Sequence, residues 1–313
     1  QDGRFRSHIQ GHDIDFRVSV LPTYFGEKVV LRVLDRSGVR AGLGKLGFSD
    51  KATDAFARAV KKPYGMILVT GPTGSGKSTT LYSILTSLNT PDRNIMTIED
   101  PVEYQIIGIT QTQVMAEVGL TFAAGLRSLL RQSPDIILVG EIRDSETADI
   151  AVKAALTGHL VFSTLHTNSA SGAMTRLVDM GVEPFLIASS VVCVAAQRLL
   201  RRVCEYCKRE AEIPMELLRR CKVDASDLRG VSSMKGAGCA KCNHTGYYGR
   251  MAAIEVLTVT PKIQELIIQK KSTEVIQAQA IREGMETLFQ NAFGIFKKGL
   301  TTLEEVLRVS NPD

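Results

Sequence analysis

The chain has 313 residues, 44% of them apolar and 23% charged, with a net charge of +5 at pH 7 and a pI near 8.9. This composition excludes a disordered chain, and the length leaves room for about two domains around a sizeable core. The modest positive surplus suits a protein that handles phosphate or works beside acidic lipid, and does not by itself call for nucleic acid.

The longest apolar run, residues 185–196, includes two serines and ends at Gln197 and Arg198. It falls short of the roughly 20 residues that span a bilayer and reads as a buried helix. The chain begins at Gln1 with no visible leader, which reads as an excised piece. Six cysteines, four of them in two C-x-x-C pairs, point to a metal site in a reducing compartment rather than to a disulfide framework.

Residues 4–34 read as strands. In residues 14–20 the apolar side chains fall at every second position, which sends Asp15, Arg17 and Ser19 to the other face. A second run, 28–34, carries Arg32. If 21–28 closes a hairpin symmetrically, Arg17 stands opposite Arg32, and two opposed cations repel unless an anion joins them. Either they meet phosphate or the pair belongs to a solvated face. The Gly-rich stretch 36–47 reads as a linker. Residues 48–62 predict a helix capped by Ser49 or Asp50 and ended before Pro63.

From Tyr64 onward, short β-branched runs at 66–69, 95–98, 136–139 and 160–162 alternate with helix-length segments. Buried parallel strands read this way, so the expectation is an α/β domain with helices on both faces and its ligand at the carboxyl ends of the strands. The run at 66–69 leads into Gly71-Pro72-Thr73-Gly74-Ser75-Gly76-Lys77-Ser78-Thr79 and then a helix. Such a loop turns backbone N–H groups onto a polyphosphate at a helix N-terminus, with Lys77 on the outer phosphates and the Ser78 hydroxyl on Mg²⁺.

Acidic residues follow at strand ends. Glu99, Asp100 and Glu103 lie within five residues, and Glu141 ends an apolar strand where it would hold Mg²⁺ through water or polarise the attacking water. The residues alone do not separate Glu103 from Glu99 as the base. Arg127 and Arg131, four apart on a helix predicted over 122–132, share a face that meets either a γ-phosphate, a neighbouring subunit or solvent. His159 and His166 bracket a strand. Their spacing argues against a shared metal and leaves phosphate sensing, polarisation of water or a structural role.

Cys204-x-x-Cys207 and Cys239-x-x-Cys242 suit a closed tetrahedral Zn²⁺ site without catalysis at the metal. The 31 residues between the pairs predict a small helical insert over 214–222, and His244 is the reserve ligand. Cys193 and Cys221 read as buried thiols. Residues 258–309 are helical in pattern, with Ile263, Leu266, Ile267, Leu303, Val306 and Leu307 as core stripes.

Together, the segments 71–79, 97–104 (Thr97 to Tyr104), 140–144 (Gly140 to Asp144) and 157–168 (Thr157 to Asn168) closely resemble the Walker A, Asp box, Walker B and His box of the secretion ATPase superfamily of type IV pilus and type II secretion motors. The tetracysteine segment and the Arg17 and Arg32 strands match as well, and the cysteines favour the assembly branch. The resemblance implies a RecA-like P-loop NTPase core (63–200), preceded by the end of a PAS-like domain (1–37) and a linker with first helix (38–62). A zinc subdomain (201–250) and a helical region (251–313) would follow. It implies a cytoplasmic homohexamer that hydrolyses ATP with Mg²⁺ at the inner-membrane face, held there by an inner-membrane platform protein and a cytoplasmic adaptor. Glu103 would be the general base, Glu141 the Walker B carboxylate, and His159 and His166 the His-box residues. Arg17, Arg32, Arg127 and Arg131 would neutralise phosphate charge. A DNA-translocating ATPase with a nucleic-acid-binding zinc module is the rival. The absence of Trp and an aromatic content of 6% weigh against it, and no nucleic acid is expected. A nucleotide-binding scaffold without hydrolysis is the third reading.

Overall fold

The structure, a computed structural model, describes residues 1–9, 12–34, 48–223, 228 and 230–311. The predicted linker at 36–47 lies outside them. Three antiparallel strands, β1 (Asp2–Ile9), β2 (His12–Thr23) and β3 (Gly26–Leu34), form the first sheet. Its register sets Arg17 opposite Arg32, as the symmetric hairpin requires, and also opposite Arg4 on the other side. Val29, Leu31 and Val33 on β3 are all more than half exposed.

Helix α1 (Asp50–Val60) starts where Ser49 accepts the Ala52 N–H, and buries Phe56, Ala59 and Val60. The main sheet then begins with β4 (Gly65–Thr70), followed by α2 (Lys77–Leu88), β5 (Ile95–Glu99), β6 (Thr110–Gln113), α3 (Phe122–Leu130), β7 (Ile136–Val139), α4 (Ser145–Leu156) and β8 (Leu160–Leu165). Helices α5 (Ala170–Asp179) and α6 (Pro184–Ser190) lead into the long β9 (Val191–Val203), which returns through β12 (Tyr247–Thr258). The strand order is β12-β9-β4-β8-β7-β5-β6, with every pairing parallel except that of β12 to β9.

Alternation along β4 builds a core on each face. Met66 and Leu68 pack with Leu126, Ala151, Met174 and Ile187 from α3 to α6, while Ile67 and Val69 pack with Phe56, Leu81 and Leu85 from α1 and α2. Each such fully buried side chain contributes about 1.5–3 kcal/mol, which makes β4 a rigid base for the loop it feeds. The helices-on-both-faces architecture expected from the sequence is therefore present.

The expected buried helix over 185–196 is corrected. It ends at Ser190, and Val191 onward is β9. The reason is pairing: the β-branched Val191, Val192 and Val194 complete the sheet beside β4, and tertiary hydrogen bonds override apolar character that suits either state. The polar edge strand β6, Thr110-Gln111-Thr112-Gln113, offered no apolar run to read.

Between β9 and β12 the chain forms a cysteine-rich module with β10 (Lys208–Glu210), α7 (Met215–Cys221) and β11 (Met234–Gly236). Helix α7 is the insert expected over 214–222. The tail forms α8 (Pro261–Ile268), α9 (Thr273–Arg282), α10 (Leu288–Lys297) and α11 (Leu303–Val309). A third core joins Leu218 and Cys221 of α7 to Phe289, Phe293, Phe296, Leu303 and Val306, so the module and the last helices pack together. Among the described residues no helix is long and apolar enough to cross a membrane.

Candidate functional site

The loop after β4 runs from Gly71 to the N-terminus of α2. Gly71 has φ +146°, and a Cβ there would lie 2.4 Å from the Gln197 carbonyl oxygen and 2.7 Å from Ser75 Oγ. Gly76 has φ +90°, with Gln197 Nε2 2.8 Å from a Cβ placed there. Both glycines are thus demanded by conformation and by contact with one residue. Gln197, fully buried on β9, donates Nε2–H to the Ser75 carbonyl at 2.8 Å and accepts the Thr80 hydroxyl at 2.8 Å. It clamps the loop to the helix that follows, a role that its place at the polar end of an apolar run does not signal.

Lys77 donates Nζ–H to the carbonyls of Gly71 (2.8 Å) and Pro72 (3.1 Å). Burial lowers its pKa, the Glu141 carboxylate acts in the opposite sense, and Arg198 adds to the lowering. Pro72, Thr73 and Gly74 are exposed along a cleft of about 740 Å³, which Asn168, Arg198 and Arg308 also line. Ser78 is exposed in the first turn of α2 and Thr79 is half-buried behind it.

The carboxylates at the strand ends divide into two kinds. Glu99 is buried with both oxygens engaged: Oε1 accepts from Thr97 Oγ1 (2.6 Å) and Gln111 Nε2 (3.3 Å), and Oε2 accepts the Tyr82 hydroxyl. Burial raises its pKa against the pull of these donors. Tyr82 Oη in turn accepts the Glu103 backbone N–H at 3.2 Å, so Glu99 holds the segment that carries Glu103. Glu103 Oε2, by contrast, is buried with no hydrogen-bond partner, as is Ser75 Oγ. An unpartnered buried oxygen costs about 1–3 kcal/mol, and Ser163 Oγ on β8 is a third such atom among the described residues.

Glu141 follows β7 and is held from two sides, by the Arg143 guanidinium on Oε1 and by His166 Nε2 at 3.2 Å on Oε2. Burial raises its pKa, but the hydrogen bond and charge of Arg143, aided by His166, outweigh that and keep the carboxyl below its usual range. Arg143 also reaches Asp100 at 3.3 Å and so ties the ends of β5 and β7 together. The structure brings Lys77, Glu141, His166 and Asp100 to the carboxyl edge of the sheet.

Other sequence-selected residues lie elsewhere. His159 precedes β8 at the opposite end of the sheet, where its carbonyl accepts the Gly65 N–H and its Nδ1 sits 3.0 Å from the Ala154 carbonyl. Within one chain it is not beside the P-loop. Arg127 is exposed and paired with Glu146 at 2.5 Å, and Arg131 donates to the Arg127 carbonyl and to Ser128 Oγ. Arg17 and Arg32 stand on the separate three-stranded sheet.

In the cysteine module, the Sγ atoms of Cys204, Cys207, Cys239 and Cys242 all lie within 4.8 Å of one another. Three of the separations are 3.9, 3.9 and 3.7 Å. Sulfurs about 2.3 Å from a central Zn²⁺ in a tetrahedron stand about 3.8 Å apart, so the set fits that ion. The Gly238 and Cys239 N–H groups donate to Cys207 and Cys242 sulfurs, which favours thiolate. His244 is not part of the cluster. Cys193 is fully buried, and burial pushes its thiol pKa up to about 12.

A parallel sheet whose central strand feeds a glycine loop and a helix N-terminus, with acidic residues closing the neighbouring strands, defines the P-loop NTPase class. The family described as "Type II/IV secretion system protein" matches residues 1–308, and the chain belongs to that family. It is 52% identical over 309 residues to the type IV pilus assembly ATPase PilB of Thermus thermophilus, covering 98% of this chain and 34% of that protein. It is 50% identical over 310 residues to the type II secretion system ATPase E of Vibrio cholerae, covering 99% and 61%. The chain therefore spans between a third and three-fifths of the length of these relatives. Among solved structures, the pilus retraction motor PilT with bound ADP superposes with a TM-score of 0.71 at 31% identity, over 100% of this chain and 78% of that one.

Proposed function

We propose that the chain is the motor portion of a hexameric, cytoplasmic ATPase that powers assembly of a type IV pilus or of a type II secretion pseudopilus. The observation that carries the catalytic part is the contrast between Glu99, whose oxygens are both engaged, and Glu103, which keeps a buried oxygen without a partner. Glu103 is the group able to take a proton from the attacking water, and Glu99 positions it through Tyr82. The P-loop amides and Lys77 bind and orient the phosphates of ATP. Ser78 and Glu141, hard oxygen donors with the carboxylate kept ionised, would hold Mg²⁺, which supplies positive charge to the phosphates when bound. Arg143 and His166 fix Glu141 in place.

Arg17, Arg32, Arg127 and Arg131 supply further positive charge, some of it across an interface between copies. His159, remote from the P-loop in its own chain, acts in this reading only through such an interface. The four cysteines would hold Zn²⁺ with no open position, as a structural clasp. Loss of the γ-phosphate relaxes the clamp between the small sheet and the core, and asymmetric loading of a ring turns that into motion passed to an inner-membrane platform protein.

Phosphate release from ATP by the purified chain, with and without Mg²⁺ and with Lys77→Ala as the blank, tests the catalytic part. Bound nucleotide with no phosphate release from the wild type would leave a scaffold, and release that needs added DNA would leave the translocase.

A further inference from the structure

All of the chain's surplus charge lies in one stretch. Residues 201–250 hold eleven Lys and Arg against six Asp and Glu, a surplus of five that equals the +5 of the whole chain. The rest of the sequence is balanced. Folding collects part of this charge beside aromatic rings that the sequence keeps far apart. Tyr206 lies between Cys204 and Cys207 and Tyr248 lies at the start of β12, yet their rings meet at 6.3 Å and 83° while remaining 69% and 51% exposed. Lys241, between Cys239 and Cys242, places Nζ 5.9 Å from one ring centroid and 5.8 Å from the other. Both cysteine knuckles thus contribute, and closing the four-sulfur set fixes the spacing of the face.

On the adjoining β10 and β11 ribbon, Arg209 stands directly opposite Lys235, both exposed. Directly opposed like charges weaken a strand pair, and a carboxylate bound between them offsets that repulsion. Among the described residues none of Arg209, Lys235 and Lys241 makes an ion pair within the chain.

We propose that the four-cysteine module carries a docking surface for an acidic segment of a partner protein, with Arg209 and Lys235 on the ribbon and Lys241 at the second knuckle pairing its carboxylates, and Tyr206 and Tyr248 packing its side-chain stems. The chemistry favours this over other polyanions. Single-stranded nucleic acid needs open ring faces for stacking, whereas these rings meet edge to face with Lys241 near both. An anionic membrane is met by an amphipathic helix or a flexible basic tail, whereas these cations are held on strands and knuckles. The proposal does not depend on ATP hydrolysis.

Fluorescence anisotropy with the zinc-loaded 313-residue chain and a labelled Glu-rich peptide tests it, with an oligo-dT strand and phosphatidylglycerol vesicles as competing probes. The peptide should bind, weaken with salt, and lose about ten-fold or more in affinity in the double variant Arg209→Glu with Lys235→Glu. Lys262→Glu, a charge reversal on α8, should leave binding unchanged. Zinc content and phosphate release, expected to stay at wild-type level, report whether each variant keeps its fold. Should the double variant lose zinc, Arg209→Gln with Lys235→Gln takes its place. Failure of the peptide to bind at low salt, binding that ignores both double variants, or tighter patch-dependent binding of oligo-dT or vesicles would each overturn the proposal.

Discussion

The middle and the far end of β9 are built on opposite plans. At Gln197 the strand meets a glycine loop, with Ser75 Oγ and Glu103 Oε2 buried but unpartnered. Past Val203, about 20 Å further along at 3.3 Å per residue, it meets four sulfurs matched to one another, with backbone N–H groups donating to two of them. On the proposed function, the first site binds and releases a nucleotide and keeps polar groups for that ligand to complete. A clasp that only holds structure is complete in itself.

The largest effect expected follows from opening the clasp. Structural Zn²⁺ contributes on the order of 10 kcal/mol to small metal-bound folds, so Cys239→Ser or chelation should lose the metal and the protection of residues 204–210 and 234–246 in hydrogen exchange. Nucleotide binding at the P-loop should persist. Simultaneous loss of both would show that the two sites are one unit.

Next is the junction between β9 and α11. Glu305, 1% exposed, accepts from Arg201 and Arg308 and from the Arg201 backbone N–H. Burial raises its pKa, but these donors outweigh that and hold it at about 2. A depressed folded pKa gives stability that is present above the unfolded value of 4.5 and is lost as pH falls toward 2. The contribution is on the order of 3 kcal/mol at neutral pH. Glu305→Gln should lower the melting temperature at neutral pH and flatten its acid dependence between those limits. An unchanged acid limb would remove Glu305 from that role.

Gln197→Ala leaves the Ser75 carbonyl and the Thr80 hydroxyl without their partner, at a cost of about 1–3 kcal/mol. Nucleotide affinity should fall while zinc content holds, as measured by titration and metal analysis. The smallest effect belongs to Arg127→Ala, where an exposed pair is worth at most about 1 kcal/mol. Thermal stability should hardly move, so a much larger fall in turnover would place Arg127 on phosphate or across an interface.

Much of this was legible because it is local. Strand, glycine loop, Lys77 and helix are contiguous, the two cysteine pairs announce a ligand set, and symmetric closure of the hairpin over 21–28 sets the Arg17 to Arg32 register. What stayed hidden depends on elements meeting in space. Gln197 acts from a strand whose apolar run also suits a helix, and Arg143 links Asp100 to Glu141 across two strands. The different fates of Glu99 and Glu103, four residues apart, are decided by Tyr82 on α2. His159, singled out by its motif, needed the parallel register of β4 and β8 to be seen at the far end of the sheet.

The central claim is that Glu103 reacts and Glu99 supports it. Single-turnover ATP hydrolysis by Glu103→Gln, with nucleotide affinity measured in the same preparation, tests this most directly. The account predicts near-wild-type binding and a fall in rate of about 10²–10⁴-fold, the range for loss of a general base. Wild-type rate in Glu103→Gln, with the large loss appearing in Glu99→Gln at unchanged stability, would contradict it.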